Sequence, residues 1–190
     1  MQRTLILIAA VAALSAGVAN GKECKGVGFA DRVQVEGGPL TLNGLGLRQA
    51  TMFKINVYVG ALYVAKTSSD PNAILGSNAP YEIILQFVRN VDAGDITKGW
   101  SEGFERNSKG QLPALKERIA TLNGWMNDVK TGQQLIFVFK PGTGVQVNVN
   151  GTAKGTIPGD DFGKAFLSIW LGATPPNPEI KAGLLGGACG

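Results

Sequence analysis

Apolar and polar positions change their period several times along the chain, and each change predicts an element. Phe29 to Val35 alternates apolar and polar side chains, which predicts a strand. After Gly37-Gly38-Pro39, the segment Leu40 to Gly44 predicts its hairpin partner. Lys54 to Ala65 (KINVYVGALYVA) is rich in β-branched and aromatic residues and is apolar on both alternations, so it predicts a central strand covered on both faces. Tyr81 to Val88 (YEIILQFV) predicts another. Between them, Asp70 as N-cap and Pro71 at the first helical position open a short helix that Gly76 closes.

The middle of the chain turns helical. Asp92 is placed to cap a helix in which Ile96, Trp100 and Phe104 recur at i, i+4 and i+8, with Gly99 and Gly103 on the same side to permit close packing. From Gln111 to Asp128, the residues Leu112, Leu115, Ile119, Leu122 and Trp125 form one apolar stripe opposite Lys116, Glu117 and Arg118. Gln134 to Lys140, Val145 to Asn150 and Lys154 to Ile157 predict a three-strand meander turning at Pro141-Gly142-Thr143-Gly144 and at Asn150-Gly151. A helix presenting Phe162, Ala165, Phe166, Ile169 and Trp170 follows, its start favoured by Asp160-Asp161, and Asn177-Pro178 opens a shorter one. This order predicts an α+β domain with helices on one face of a largely antiparallel sheet.

Composition narrows the chemistry. At 190 residues and 44% apolar, the chain suits one well-cored domain. It contains no histidine, which excludes a Ser-His or Cys-His nucleophile pair, a His-ligated metal site and an imidazole base. Leu5 to Leu14 is a ten-residue apolar run behind Arg3, and Ser15-Ala16-Gly17-Val18-Ala19 ends it with small residues, so residues 1–19 predict a cleavable signal peptide and a periplasmic or secreted protein. Asn20 and Lys22 interrupt the run too early for a membrane anchor, and no other stretch predicts a span. Cleavage leaves 17 basic against 14 acidic residues, or +3, too scattered for a nucleic-acid footprint.

Export gives the cysteines a meaning. Cys24 and Cys189 are the only two and lie at opposite ends of the mature chain, so an oxidising compartment predicts that they join in a disulfide. Two cysteines without histidine offer too few soft ligands for a metal site, and no cofactor motif stands out. Gly142-Thr143-Gly144, for example, lacks the lysine and downstream helix of a phosphate loop.

Several stretches carry a resemblance. Gly44-Leu45-Gly46-Leu47-Arg48 followed by Lys54-Ile55-Asn56-Val57-Tyr58-Val59-Gly60-Ala61-Leu62-Tyr63-Val64 resembles the glycine, arginine and G-x-Y-L signature of the chalcone isomerase family. Ser69-Asp70-Pro71, the helix with Trp100, Glu102, Gly103 and Phe104, Gly155 to Gly159, and Phe166 to Gly172 are similar to its exported bacterial branch, so the likeness covers about residues 26 to 186. It implies an open-faced β-sandwich with a small-molecule cleft between sheet and helices. Plant enzymes of the family cyclise a chalcone to a flavanone, with an arginine stabilising the attacking oxyanion beside a threonine, a tyrosine and an asparagine, whereas other members bind fatty acids. Arg48 falls at the arginine position. The threonine position falls on Tyr58, or on Val57 one register away, and the tyrosine and asparagine positions fall near Asp95 and Glu102. Ser168 is the candidate for a further hydroxyl on the last long helix.

The chemistry of these residues favours holding over transforming. Arg48 is permanently charged and suits paired hydrogen bonds to a carboxylate or phenolate better than proton transfer. It could instead pair with Asp95 or Glu102. Tyr58 and Tyr63 are five apart on one strand and must face opposite sides. Trp100 and Phe104 serve as core or as a ligand wall. The expected ligand-binding set is Arg48, Tyr58, Trp100, Glu102 and Ser168, with no catalytic residue assigned. The expected function is an exported, non-catalytic binder of a small amphipathic anion such as a fatty or aromatic acid; the alternatives are an isomerase (intramolecular lyase) acting on an enone, and a structural or partner-binding envelope protein.

Overall fold

The computed structural model describes residues 21–190, so the signal-peptide expectation for residues 1–19 lies outside the described residues. Fifteen elements follow in order: strands β1 (Gly21–Cys24), β2 (Val27–Ala30), β3 (Arg32–Val35), β4 (Gly38–Ala50) and β5 (Ile55–Val64), helix α1 (Pro71–Gly76), strand β6 (Tyr81–Phe87), helix α2 (Ala93–Asn107), a 3-10 turn at Lys109–Gln111, helix α3 (Leu112–Gly124), strands β7 (Gln134–Lys140), β8 (Gly144–Val149) and β9 (Thr152–Pro158), and helices α4 (Asp160–Leu171) and α5 (Pro178–Leu184). Strands β3 to β9 form one seven-stranded sheet in sequence order, every pair antiparallel. This is the expected α+β, open-faced β-sandwich arrangement.

Alternation along the strands separates two cores. Tyr58, Leu62, Ile83, Leu85, Phe137 and Val147 face the helices and join Trp100, Phe104, Phe166 and Trp170 in the larger core. Phe166 is its hub, within 4.6 Å of Phe137 and 5.1 Å of Trp170 between ring centroids. On the opposite face, Leu45, Leu47, Val59, Ala61 and Tyr63 pack under the small β1–β2 hairpin and the chain end, where Cys24 bonds Cys189 with Cα atoms 6.0 Å apart. The single expected strand from Phe29 to Val35 is in fact two: Asp31 breaks it, and its first half pairs with β1. That hairpin turns at Lys25 and Gly26, both at positive φ (50° and 79°), the geometry of a tight two-residue turn.

The GLGLR stretch acquires a physical reason. Strand β4 runs on to Ala50, well beyond the expected Gly44, and Gly44 and Gly46 turn toward α5. A Cβ on Gly44 would stand 2.1 Å from the Gly183 carbonyl oxygen, and one on Gly183 2.2 Å from that of Leu45, so three glycines let α5 lie directly on the sheet. Asn43, extra in the ladder between Leu42 and Gly44, bridges outward: its Nδ2 donates to the carbonyls of Ser68 (3.0 Å) and Leu184 (2.7 Å), and its Oδ1 accepts from Ser68 N–H (2.8 Å).

The helices depart from expectation at their ends. Asp92 occupies the N-cap of α2 without a side-chain cap bond; Asp128 reaches across instead and accepts from Ala93 N–H at 2.9 Å. Gly103 packs against α4, where a Cβ would meet Ile169 Cγ2 at 2.6 Å, but Gly99 meets no neighbour and stays open. Helix α3 stops at Gly124 rather than Asp128, and its Arg118 is no free surface charge: it holds Asp161 through two hydrogen bonds of 2.7 and 2.6 Å.

Candidate functional site

One end of the helix-covered face stays open. Where β4, β5 and β6 run past the helix layer, they enclose a cavity of about 570 Å³ with α2 and the connection between α4 and α5. Strand alternation puts Arg48 there, two residues beyond Gly46 on the same side of β4. A second ladder irregularity then shapes the wall: Arg48 pairs with Tyr58 but Gln49 with Asn56, leaving Val57 as an extra residue. Such a bulge re-aims side chains locally. Here Val57 and Tyr58, adjacent in sequence, both line the cavity.

Arg48 is half-buried, and its Nη1 donates to the Gln49 backbone carbonyl. Among the described residues no carboxylate lies within ion-pair distance of it. Glu102 lines the cavity too, but its carboxylate pairs with Arg106 at 2.7 Å, one helical turn on, and Asp95 lies at the rim outside ion-pair distance of Arg48. The alternative in which Asp95 or Glu102 neutralises Arg48 is therefore not what the fold builds.

Tyr58 is buried, and its hydroxyl accepts a 2.9 Å hydrogen bond from Trp170 Nε1. Burial pushes its pKa upward, against the opposing pull of that bond and of the Arg48 charge. It stays a phenol at neutral pH, a donor rather than a base, and with Trp170 occupying a lone pair its own proton remains available. Trp100 forms part of the wall from α2, only 4% exposed, with its indole Nε1 buried and bonded to no protein acceptor. Ser168 is not in the cavity: its hydroxyl donates to the Ala165 carbonyl at 2.6 Å and lies 3.2 Å from that of Ser108. The next residue, Ile169, lines the cavity instead.

Of the five residues expected to bind a ligand, four thus reach one cavity, with Glu102 already paired at its rim. Sequence reasoning missed Phe87 and Ile96 in the apolar wall and Arg89 and Lys98 at the edge. The alternation of β6 and the stripe of α2 were signal enough for the first two, whereas Arg89 sits just past a strand end, where alternation says nothing. Chemically, the cavity brings the Arg48 guanidinium and its cross-strand neighbour Tyr58 together in a hollow that mixes apolar walls with polar and charged side chains, and a guanidinium so placed suits an anionic headgroup.

Comparison with known proteins agrees with this architecture. The chalcone isomerase-like family model matches residues 21–186. No curated protein matches the sequence significantly. Among solved structures, the fatty-acid binding protein AtFAP1 of Arabidopsis thaliana is similar, with a TM-score of 0.65 over 84% of this chain and 92% of that one at 14% identity, a likeness of fold. With the match spanning nearly all the described residues, this chain belongs to the chalcone isomerase-like family.

Proposed function

We propose that this chain is an exported, non-catalytic binding protein for a small amphipathic anion, a fatty acid in the first instance. The carboxylate would sit against Arg48 and the Tyr58 hydroxyl, and the apolar body along Val57, Phe87, Ile96, Trp100 and Ile169. The observation that carries this is the half-buried Arg48 with no carboxylate partner at the mouth of a cavity of about 570 Å³, a volume within the roughly 300–1,000 Å³ typical of small-molecule sites. A cation so placed is stabilised by an incoming anion. The binding activity named for AtFAP1 supports a fatty acid as the first ligand to try. An open cavity also favours binding over an envelope protein with a filled interior. The leader-like residues 1–19 and the Cys24–Cys189 disulfide support export to an oxidising compartment such as the periplasm.

Native mass spectrometry of protein purified from its own host, and calorimetric titration with palmitate, test this reading. Wild type is expected to carry or take up one acidic amphiphile, and Arg48→Met to lose at least tenfold in affinity, since charge-assisted hydrogen bonds contribute about 1.5–3 kcal/mol. Equal affinity in the variant, or no uptake by wild type, would overturn it. Turnover of an enone that disappears in Arg48→Met would move the assignment to an isomerase.

A further inference from the structure

The exposed large apolar side chains among the described residues are all in one place: Met52 is 88% exposed, Phe53 80% and Ile55 39%. They belong to the β4–β5 hairpin, whose tip is a constructed turn. Lys54 N–H donates to the Thr51 carbonyl at 3.2 Å, Phe53 N–H to Thr51 Oγ1 at 3.3 Å, and Gln49 Nε2 to the Lys54 carbonyl at 3.2 Å. The same hairpin forms the cavity rim, which Ala50, Thr51 and Ile55 line directly.

We propose that this tip docks the protein on the surface of a phospholipid bilayer, with Met52 and Phe53 entering the interfacial layer and the cavity mouth facing the headgroups. The proposal extends the amphipathic-anion reading by naming the ligand's source, because a long-chain amphiphile resides in membranes and would enter the cavity beside the tip. Two neighbouring side chains on a narrow turn present far less than the roughly 800 Å² per partner of a stable protein interface, but they suit a fluid interface that closes around any protrusion. The net charge of the whole chain favours anionic lipid modestly, while the charged groups around the mouth balance and leave the contact to the apolar tip. Without residues 1–19 the chain carries +3 overall. Around the mouth, Arg89 and Lys98 stand against Asp92 and Asp95, while Glu102 is paired with Arg106, and Glu179 with Lys54 at 3.5 Å. No helix among the described residues is long and apolar enough to cross a membrane.

Flotation of the purified protein with vesicles of phosphatidylethanolamine and phosphatidylglycerol tests this, alongside palmitate titration without vesicles. Wild type is expected to float, more strongly with a larger phosphatidylglycerol fraction. The double variant Met52→Ser/Phe53→Ser should lose at least tenfold in vesicle partitioning and keep its palmitate affinity, whereas Arg48→Met should do the reverse. Tip-dependent flotation without palmitate uptake would sustain docking and remove the ligand reading alone. Absence of wild-type flotation, or equal flotation of the double variant, would overturn docking. So would a wild-type dimer that ignores vesicles and becomes monomeric in the double variant, which would make the tip a contact between copies.

Discussion

The two faces of the sheet are held by different means. The helix-covered face relies on aromatic packing, with Phe166 amid Trp100, Phe104, Phe137, Phe162 and Trp170. The opposite face has only a four-residue-per-strand hairpin and the chain end as cover, and there a covalent bond between Cys24 and Cys189 supplements a small apolar cluster. A thick layer of helices can leave a hollow at one end and still hold the sheet, whereas a thin cover leaves nothing to spare. The contrast explains why the cavity lies under α2 and the disulfide on the other side.

Four measurements sharpen or break that contrast, from the largest effect downward. Phe166→Ala, which empties the hub of the large core, should destabilise by about 3–5 kcal/mol in urea unfolding. Loss of under 1 kcal/mol would show that the helix face does not depend on this cluster. Cys24→Ser/Cys189→Ser should lower stability by about 2–4 kcal/mol and leave Arg48-dependent ligand affinity unchanged. A parallel fall in affinity would mean that the faces are coupled.

Tyr58→Phe should cost about 1–3 kcal/mol, because it strands the buried Trp170 Nε1–H without an acceptor; thermal melts give the value, and no change would count against that bond. The smallest effect concerns Glu82, buried on the opposite face, where desolvation pushes its pKa up to about 7 from the usual 4.5. The folded protein keeps this proton between those values while the unfolded chain releases it, so stability falls as pH rises from about 4.5 to about 7 and levels off above. The carboxyl keeps some hydration, which limits the loss to roughly 1 kcal/mol. Glu82→Gln should flatten that slope, and an unaltered pH profile of melting temperature would assign the slope elsewhere.

Elements whose identity depends on local pattern were legible in the sequence. The α2 stripe, the Asn150-Gly151 turn and the Asp70-Pro71 helix start followed from spacing and composition, and the pairing of Cys24 with Cys189 from their being the only two cysteines together with the expectation of export. Features set by distant contacts were not. The bulge that aims Val57 into the cavity exists only in the register between β4 and β5, and the length of β4 depends on α5, more than 130 residues away, covering Gly44 and Gly46. For the site, the resemblance pointed to Arg48 and Tyr58, and the fold sets them side by side on one wall of the cavity. The resemblance placed Ser168 one position from Ile169, and on α4 one residue of rotation, about 100°, separates the cavity from the Ser108 contact.

The bond between Cys24 and Cys189 spans 165 positions and turns most of the polypeptide into a closed ring. A protease that nicks an exposed turn such as Pro141 to Thr143 would therefore release no fragment, and the cut molecule would still migrate as one species until a reductant opened the ring.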